Sequence, residues 1–424
     1  MSTLLEPTQN PGMIADLFAQ GLKDTGVLRV LQTVRKYLGM DVAFVSHFRE
    51  HDRVLEHVDA DAGAPFYAGQ VIPLEQGYCR RVARGELPEL MADTSLFPAA
   101  VALPETSAVP IGSHLSVPIR LLSGALYGTL CCFSYQPDLT LGERELRLMH
   151  AFAEVLAAHI EAASSASSAL SAKLASVREA MSGTSPRIVY QPIYHLKTGA
   201  LAGFECLSRF GVPAAASSPV HWFDLASEVG LRTELEILAI RRALETMHRF
   251  PEWTGFGLNG SPETILSDGF TQALEGADLR RVVIEITEHA IVEDYAPLRA
   301  VLQPLREQGL RLAIDDAGAG YANMRHIVNL IPDIIKLDMS LTRHIDRDPH
   351  RRALARALIS FSEETGSRIT AEGIETQAEL QLLRDLGAET GQGYFLKEPV
   401  ALELACDPAL HKCHIPTDQI HLAI

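Results

Sequence analysis

Polar residues stand at or just after the C-terminal ends of short apolar runs in the second half of this 424-residue sequence. The runs are "GFECLSRF", "FGLNGS", "RVVIEITE", "RLAIDDAG", "DIIKLDMS", "RITAEGIE" and "TGQGYFL". The polar residues are Glu205, Asn259, Glu285, Glu288, Asp315, Asp316, Lys336, Asp338, Glu372, Glu375 and Gln392. One carboxylate at a strand end commonly forms a salt bridge or caps a helix. Acids or amides at six successive ends would leave uncompensated charges without cations, so the pattern predicts a cation site.

The ligand types in this set indicate which cation and which chemistry. Oxygen-rich ligands suit Mg²⁺ or Mn²⁺, and no Cys or His pair has the spacing of a zinc site. Adjacent Asp315 and Asp316 can bridge two ions, an arrangement that serves in-line displacement at phosphorus. Lys336 would add a cation beside the phosphate or the attacking water, with an ion pair to Asp338 as the alternative. The residues therefore predict metal-dependent cleavage of a small phosphate ester.

The elements that must position these residues follow from the rhythm of the sequence after Pro186. The apolar runs alternate with stretches at 221–248, 296–308 and 350–366, in which apolar residues recur at helical spacing. This alternation predicts a parallel sheet closed into an α/β (β/α)8 TIM-like barrel over residues 186–405, although an open doubly wound sheet has the same local pattern. In a barrel the C-terminal strand ends converge on one face.

The first half of the chain has a different pattern. After an N-terminal extension of residues 1–23, we expect a helix at "VLRVLQTVRKYLG", strands at "VAFVSHF", "SHLSVPIRLL" and "ALYGTLCCFSY", and a helix from about Gly142. Ser123 and Gly124 lie between two of these strands and predict a hairpin turn. The sum is an α+β domain with an antiparallel sheet over residues 24–163.

An Ala- and Ser-rich stretch separates the two halves, and we assign residues 164–185 to a helical linker. Leu170, Leu174, Val177 and Met181 follow a 4-3-4 spacing, which predicts a long helix with a weak coiled-coil seam and favours a homodimer. A flexible linker is the alternative. Residues 406–424 are expected to form an exposed tail, although "HKCHIP" could instead bind a metal through His411, Cys413 and His414.

Charge and composition exclude some classes of partner. The chain has 37 basic and 53 acidic residues, a formal charge of -16, which argues against a nucleic-acid polymer but not against a small phosphate ligand. Six cysteines without CxxC spacing predict buried, reduced thiols. Neither a signal peptide nor an apolar stretch of membrane-spanning length is evident, so we expect a cytoplasmic protein with no membrane partner.

Two family resemblances rest on ordered motifs. "QPI", "FECLSRF", "LNGSP", "EITE", "AIDDAGAGY", "IKLD", "AEGIET" and "GQGYFLKEP" resemble, in order and spacing, the EAL family of cyclic di-GMP phosphodiesterases over roughly residues 186 to 402. "GYCRRVARGELPEL" and "SHLSVPIRLLSGALYGTLCCFS" resemble the GAF family of small-molecule sensor domains. The first resemblance implies hydrolysis of cyclic di-GMP to linear pGpG, and the second implies regulation by an N-terminal sensor whose ligand it does not name.

The EAL resemblance also implies roles for individual residues. The residues that the resemblance assigns to the two cations are Glu205, Asn259, Glu285, Asp315, Asp316 and, through water, Glu375, with Asp315 shared by both ions. Glu205, Lys336, Glu372 and Asp316 count as catalytic, with Glu372 and Lys336 aligning or deprotonating the nucleophilic water. Gln191, Arg209 and Gln392 would contact the substrate, Gln392 also fixing the water. Glu288 would anchor the loop after the fifth strand.

The sequence departs from the EAL pattern at two places. Cys206 replaces the alanine of the signature tripeptide, and we expect it to pack in the core without any chemical role. Ala317, Ala319, Ala322 and Asn323 stand where the family usually has Phe, Thr and two Ser, which could lower activity or tie it more tightly to regulation. A non-catalytic cyclic di-GMP receptor is therefore the alternative function. Cys79, His114, Cys131 and Cys132 are interpreted as ordinary core or loop residues, with binding of a haem, a metal or a tetrapyrrole as the alternative.

Overall fold

A computed structural model describes residues 24–61, 63–211, 218–286, 292–317 and 321–413 of the chain. Contacts divide the protein into two compact units, one extending to Ala169 and the other beginning at Leu170. The domain boundaries expected from the sequence stay a prediction at the level of single residues. Each unit has a hydrophobic core of its own.

The first unit contains an antiparallel sheet with the strand order β3-β2-β1-β6-β5-β4. Its strands are β1 Val42–Phe48, β2 Asp52–Ala60, β3 Val71–Pro73, β4 Leu90–Met91, β5 Ser113–Arg120 and β6 Leu126–Ser134. Its helices are α1 Asp24–Leu38, α2 Tyr78–Ala83, α3 Pro98–Val101, α4 Pro104–Ala108 and the beginning of α5 Glu143–Ala180. The predicted turn between β5 and β6 is confirmed, with the Leu121 N–H donating to the Ala125 carbonyl.

Both faces of this sheet are covered by apolar clusters, and successive side chains of a strand belong to different clusters. In β6, Leu130 and Cys132 belong to the apolar cluster formed with α1 and α5. Cys131 and Phe133 belong to the cluster on the opposite face, which includes residues of α2. Successive side chains of a strand point to opposite faces, so one strand contributes to two separate cores.

Helix α5 runs without interruption for 38 residues and ends at Ala180, so the long helix expected here is present, while the linker bounds of 164–185 stay a prediction. Leu170 is exposed, whereas Val177 and Ala180 are buried in a small apolar cluster with Trp222 and Leu235 of the second unit. The C-terminal end of the expected seam is therefore used inside the second unit. Pairing of the exposed part with a second copy stays a prediction.

The second unit contains a closed barrel, which in the described part of the chain has the strand order β10-β11-β12-β13-β14-β7-β8-β9. The strands are β7 Arg187–His195, β8 Leu201–Arg209, β9 Gly255–Asn259, β10 Val282–Ile286, β11 Arg311–Ala317, β12 Ile334–Leu337, β13 Arg368–Ala371 and β14 Thr390–Gly391. The helices are α6 Pro219–Glu228, α7 Arg232–Glu245, α8 Pro262–Ile265, α9 Asp268–Leu274, α10 Ala296–Glu307, α11 Tyr321–Leu330, α12 Met339–Thr342, α13 Pro349–Thr365, α14 Gln377–Leu386 and α15 Leu402–Ala405. The predicted barrel is confirmed, and the open sheet is excluded.

One strand of the barrel differs from a fully parallel arrangement. β7 pairs antiparallel with both β8 and β14, while the remaining pairs are parallel. Only five residues connect β7 to β8, and Gly199 in this turn has a φ of 70°. A parallel crossover needs a dozen or more residues, so a connection this short dictates a hairpin.

Residues 406–413, assigned to an exposed tail, are in part exposed, as at Asp407 and Lys412, and in part packed on the barrel. Cys406, Leu410 and Cys413 are partly buried and pack against the barrel core. The Cys413 N–H donates to the Gly199 carbonyl at 2.8 Å, which joins this segment to the turn between β7 and β8. His414 lies outside the described residues, so the alternative metal site in "HKCHIP" is untested.

Among the described residues, no helix is both long and apolar enough to cross a membrane.

His114 of β5 gives the first unit a pH-dependent stability. Burial, and then the charge of Arg53, lowers the pKa of this imidazole to about 3. Unfolded chains protonate histidine below a pKa of about 6.5, so folding excludes that proton and stability falls as pH drops below this value. We expect His114 to remove about 1.4 kcal/mol of unfolding free energy between about pH 7.5 and about pH 5.5. Urea unfolding of the wild type and a His114→Gln variant at both pH values measures this contribution, and equal pH slopes would refute it.

Candidate active site

Strands from most of the barrel deliver the predicted polar residues to one face. Glu205 lies in β8, Asn259 ends β9 and Glu285 lies near the end of β10. The other strand-borne members are Asp315 and Asp316 of β11 and Lys336 of β12, while Glu372 follows β13 and Gln392 follows β14. Parallel strands present their carboxyl ends at the same end of a barrel, which is why residues so far apart in sequence meet.

Lys336 lies at the centre of this group and is 1% exposed. Its Nζ is 2.6 Å from Glu285 Oε2, 2.8 Å from Glu372 Oε1, 3.0 Å from Asp315 Oδ1 and 3.4 Å from Glu205 Oε2. The alternative ion pair with Asp338 is wrong, because Asp338 caps α12 by accepting from the Ser340 N–H at 2.8 Å. One ammonium thus faces four carboxylates, and this buried group has excess negative charge.

The pKa values of the cluster reflect that excess. Burial and the nearby charges of Glu205 and Asp315 raise the pKa of Glu285 to about 8, although Lys336 opposes the rise. Burial likewise raises the pKa of Glu372 well above its usual range. For Glu205, the effect of burial is outweighed by Lys336 and by hydrogen bonds from Gln392 and Asn259, which lower its pKa. Two carboxyls therefore favour a bound proton where no cation neutralises them.

Two side-chain amides, those of Gln392 and Asn259, donate hydrogen bonds to the carboxylates around Lys336. Gln392 donates through Nε2 to Glu205 Oε2 at 2.5 Å and to Glu372 Oε1 at 2.8 Å. Its Oε1 is buried and accepts no hydrogen bond from the described residues. Asn259 donates through Nδ2 to Glu205 Oε1 at 3.4 Å. Gln392 thus bridges two carboxylates through its Nε2, and its Oε1 can accept a hydrogen bond from a ligand.

The donor set fits divalent cations. Glu205, Glu285 and Asp315 each offer an oxygen within 4.8 Å of the others, and so do Asp315, Asp316 and Glu372. Asp315 belongs to both groups, as a residue bridging two ions would. Asp316 has a φ of 56° at a point where the register of β11 shifts, which turns its side chain relative to a regular strand. Oxygen donors and uncompensated negative charge are what Mg²⁺ or Mn²⁺ requires.

Gly257 contributes to the site, although the sequence reasoning did not single it out. It lies in β9, where it pairs with Glu205 of β8 and Val283 of β10, and a Cβ placed on it would overlap Glu285 Oε1. A larger residue would force that carboxylate out of its present position. Glycine inside a strand weakens the strand and commonly marks a close approach, which was the available signal in "FGLNGS".

Three further predicted residues lie on β7, on β8 and after β13. Gln191 of β7 is directly opposite Glu205 in the ladder and is half-buried. Arg209 is half-buried at the end of β8 and donates to the Ser208 carbonyl at 2.9 Å, and in the described structure the ion-pair partner of Glu205 is Lys336. Glu375 forms a bidentate ion pair with Arg343 at 2.6 and 2.8 Å. The structure thus places Glu375 outside both carboxylate groups, and its role beside the cations stays a prediction.

Two departures from the family pattern have different outcomes. Cys206 is buried in the barrel core, as expected. Ala317 is also buried, at the end of β11, while Ala319 lies outside the described residues, as do the side chains of Ala322 and Asn323. Glu288 and its loop also lie outside the described residues. The predicted effects of these loops are untested.

Curated relatives align with the second unit. A cyclic di-GMP phosphodiesterase of Pseudomonas aeruginosa, PA2567, is 32% identical over 229 residues, which cover 51% of this chain and 38% of that protein. The oxygen sensor protein DosP of Escherichia coli is 28% identical over 243 residues, covering 54% of this chain and 30% of that protein. The alignments thus span well under half the length of each relative.

Solved structures share the fold. The EAL enzyme Bd1971, in a form bound to cAMP and cyclic di-GMP, has a TM-score of 0.54 at 18% identity and covers 87% of this chain and 92% of its own. The PaMucR phosphodiesterase in complex with cyclic di-GMP has a TM-score of 0.50 at 24% identity and covers 55% of this chain and 99% of its own. At these identities, the likeness establishes the architecture.

Family models identify both units. The model of the GAF domain matches residues 25–160, where the antiparallel sheet lies. The model of the EAL domain matches residues 174–399, more than half of the chain and the whole of the carboxylate cluster. Both resemblances drawn from the motifs are confirmed, and this chain belongs to the EAL domain family, with a GAF domain preceding its barrel.

Proposed function

We propose that this protein hydrolyses cyclic di-GMP to linear pGpG with the help of two divalent cations, Mg²⁺ or Mn²⁺. The observation that carries the proposal is the buried cluster of four carboxylates around Lys336 at the carboxyl ends of the barrel strands. The name of the Pseudomonas aeruginosa relative supports the substrate. Excess negative charge in the cluster supports the requirement for metal.

The residues that would hold the cations are Glu205, Asn259, Glu285, Asp315 and Asp316. When bound, divalent cations would supply charge neutralisation of the phosphoryl oxygens and a lowered pKa for the attacking water. This resolves the charge imbalance of the cluster, because each added cation replaces the protons that Glu285 and Glu372 otherwise favour. Glu375, held by Arg343, would support the second position through water.

The protein side chains account for orientation and proton transfer. The Lys336 ammonium would donate a hydrogen bond to the attacking water or to a phosphoryl oxygen. Once bound cations have displaced the proton that Glu372 favours in their absence, Glu372 would take the proton that this water loses as its oxygen bonds to phosphorus. The P–O3′ bond breaks in the same step, and O3′ would take up a proton from solvent. Gln392 would keep Glu372 and Glu205 in place and present its Oε1 to the water or ligand. Gln191 and Arg209 would contact the guanine or phosphate groups at the open side.

The test is turnover by the purified full chain. We expect release of pGpG from cyclic di-GMP with Mn²⁺ or Mg²⁺, loss of turnover with excess EDTA, and recovery when the metal is restored. Chromatography of the nucleotides measures all three. A protein that binds cyclic di-GMP with metal present but leaves it intact would overturn the proposal and establish the receptor function instead.

Regulation and assembly form a separate part of the proposal. The GAF domain would control the barrel, and the exposed part of α5 around Leu170 would pair with a second copy. An apolar residue on an otherwise Ala- and Ser-rich exposed helix supports such pairing. Light scattering at micromolar concentration tests it, and a monomer there would refute the homodimer without affecting the hydrolysis proposal.

A Gly257→Ala variant should lose roughly tenfold to a hundredfold of its turnover, because the added methyl group displaces the carboxylate of Glu285. Steady-state kinetics at several Mn²⁺ concentrations should show a weaker dependence on metal as well. Gly260→Ala is the matched control, since a Cβ there has its nearest neighbours at 3.7 Å, an ordinary contact. Equal activity of the two variants would show that Glu285 needs no such space.

A further inference from the structure

Two cysteines meet inside the first unit, on the sheet face covered by α2. The Cys79 and Cys131 sulfurs are 3.2 Å apart, although 52 residues separate them in sequence. Cys79 lies in α2 and Cys131 in β6, and both are fully buried. Cys132, the next residue along β6, faces the other core and contacts the Met149 sulfur at 3.9 Å. Adjacent cysteines of one strand thus occupy different chemical environments.

A buried arginine favours the thiolate form of Cys79. Arg53 is 1% exposed, and its Nη2 donates to Glu105 Oε1 at 2.5 Å. Its Nε and Nη1 are buried and have no hydrogen-bond partner among the described residues. Burial alone would raise the pKa of Cys79, but a hydrogen bond with Cys131 and the charge of Arg53 lower it to about 7.

The second sulfur is arranged as a thiol. Burial, together with the hydrogen bond to Cys79, raises the pKa of Cys131 well above its ordinary value. Cys131 also lies 2.9 Å from the Ser116 hydroxyl and 3.1 Å from the Thr129 hydroxyl. One thiolate-forming cysteine beside one thiol is the pairing that oxidation to a disulfide requires.

We propose that Cys79 and Cys131 form an oxidation site in which a peroxide converts the two thiols into a disulfide. The Cys79 thiolate attacks one oxygen of hydrogen peroxide, the O–O bond breaks, and the departing hydroxide takes a proton to become water. Cys131 then attacks the resulting sulfenic sulfur, the S–O bond breaks, and its thiol proton leaves with the second hydroxide as water. Two thiols and one peroxide thus give one disulfide and two waters.

The position of the pair determines the rate and the consequence. Because both sulfurs are buried, the peroxide reaches them only through a local opening of the domain, so we expect oxidation over many minutes. The product would link α2 covalently to β6 and close a loop of about fifty residues. The oxidised GAF domain should therefore resist unfolding better than the reduced domain. This inference is independent of the proposed hydrolysis.

The test begins with the reduced, desalted full chain. It is incubated with hydrogen peroxide, denatured, alkylated with N-ethylmaleimide and mapped by mass spectrometry after proteolysis. We expect Cys79 and Cys131 to lose alkylation together and to appear in one cross-linked peptide that dithiothreitol cleaves. Both cysteines still alkylated, a sulfinic acid at Cys79 without a cross-link, or a disulfide between other cysteines would each overturn the proposal.

Variants separate this pair from the other thiols. Cys132→Ala is the matched control and should leave the cross-link unchanged. Arg53→Met should slow its formation by about tenfold, whereas Arg53→Lys should restore much of the rate because it retains the charge. Circular dichroism checks that each variant is folded. Oxidation of Arg53→Met at the wild-type rate would show that the guanidinium does not activate Cys79.

Discussion

A Glu205→Gln variant should lose turnover of cyclic di-GMP by on the order of a thousandfold while keeping the barrel intact. Glu205 is 6% exposed and accepts from Gln392 and Asn259, and its oxygen belongs to the group formed with Glu285 and Asp315. The amide keeps the shape of the side chain but removes a charge that a divalent cation needs. Chromatography of the nucleotides and titration with Mn²⁺ should show losses of rate and of metal affinity together.

The matched control removes one negative charge elsewhere in the same unit. Glu364 is exposed on α13, so Glu364→Gln should turn over cyclic di-GMP at the wild-type rate. The far-ultraviolet circular dichroism of both variants should match that of the wild type, because neither change creates a cavity. Normal turnover by a folded Glu205→Gln protein would contradict the assignment of Glu205 to the cations.

The barrel could be predicted because its local patterns agree with one another. Apolar runs alternate with helical stretches, and the polar residues fall at the same end of each run, so both the architecture and the meeting of Glu205, Glu285 and Asp315 follow. The reversed direction of β7 is different. It depends on the short turn around Gly199, and the alternation of strands and helices carries no information about that direction.

The sequence indicated which residues belong to the site, but it gave little information about the contacts between them. Lys336 is a single lysine in a short apolar run. The sequence around it does not show that its ammonium contacts four carboxylates, which come from β8, β10, β11 and the segment after β13. The close approach of Gly257 to Glu285 and the contact of Cys79 with Cys131 could not be predicted either, for the same reason. Each depends on the register between strands or on the packing of a helix on a sheet, which no short stretch of sequence encodes alone.

Lys336→Met should combine a loss of catalysis with a loss of stability that metal partly repairs. Removing one partner of a buried ionic group leaves the other charges uncompensated, and this costs about 3 to 5 kcal/mol of unfolding free energy. Here the ammonium is the cation shared by Glu285, Glu372, Asp315 and Glu205. Turnover should fall by on the order of a thousandfold, since the same group would orient the water or the phosphate.

Metal and pH distinguish this effect from simple loss of packing. The raised pKa of Glu285 means that in metal-free protein its contribution to stability is fully present below about pH 4.5 and is lost as pH rises through about 8. Lys336→Met should steepen this loss, and Mn²⁺ should reduce it, because cations neutralise the same carboxylates. Urea unfolding with EDTA or Mn²⁺ at several pH values measures both effects, with the exposed Lys197→Met as the control. A deficit in Lys336→Met that neither metal nor pH alters would show that Lys336 acts through packing alone, and the charge imbalance proposed for the cluster would then be wrong.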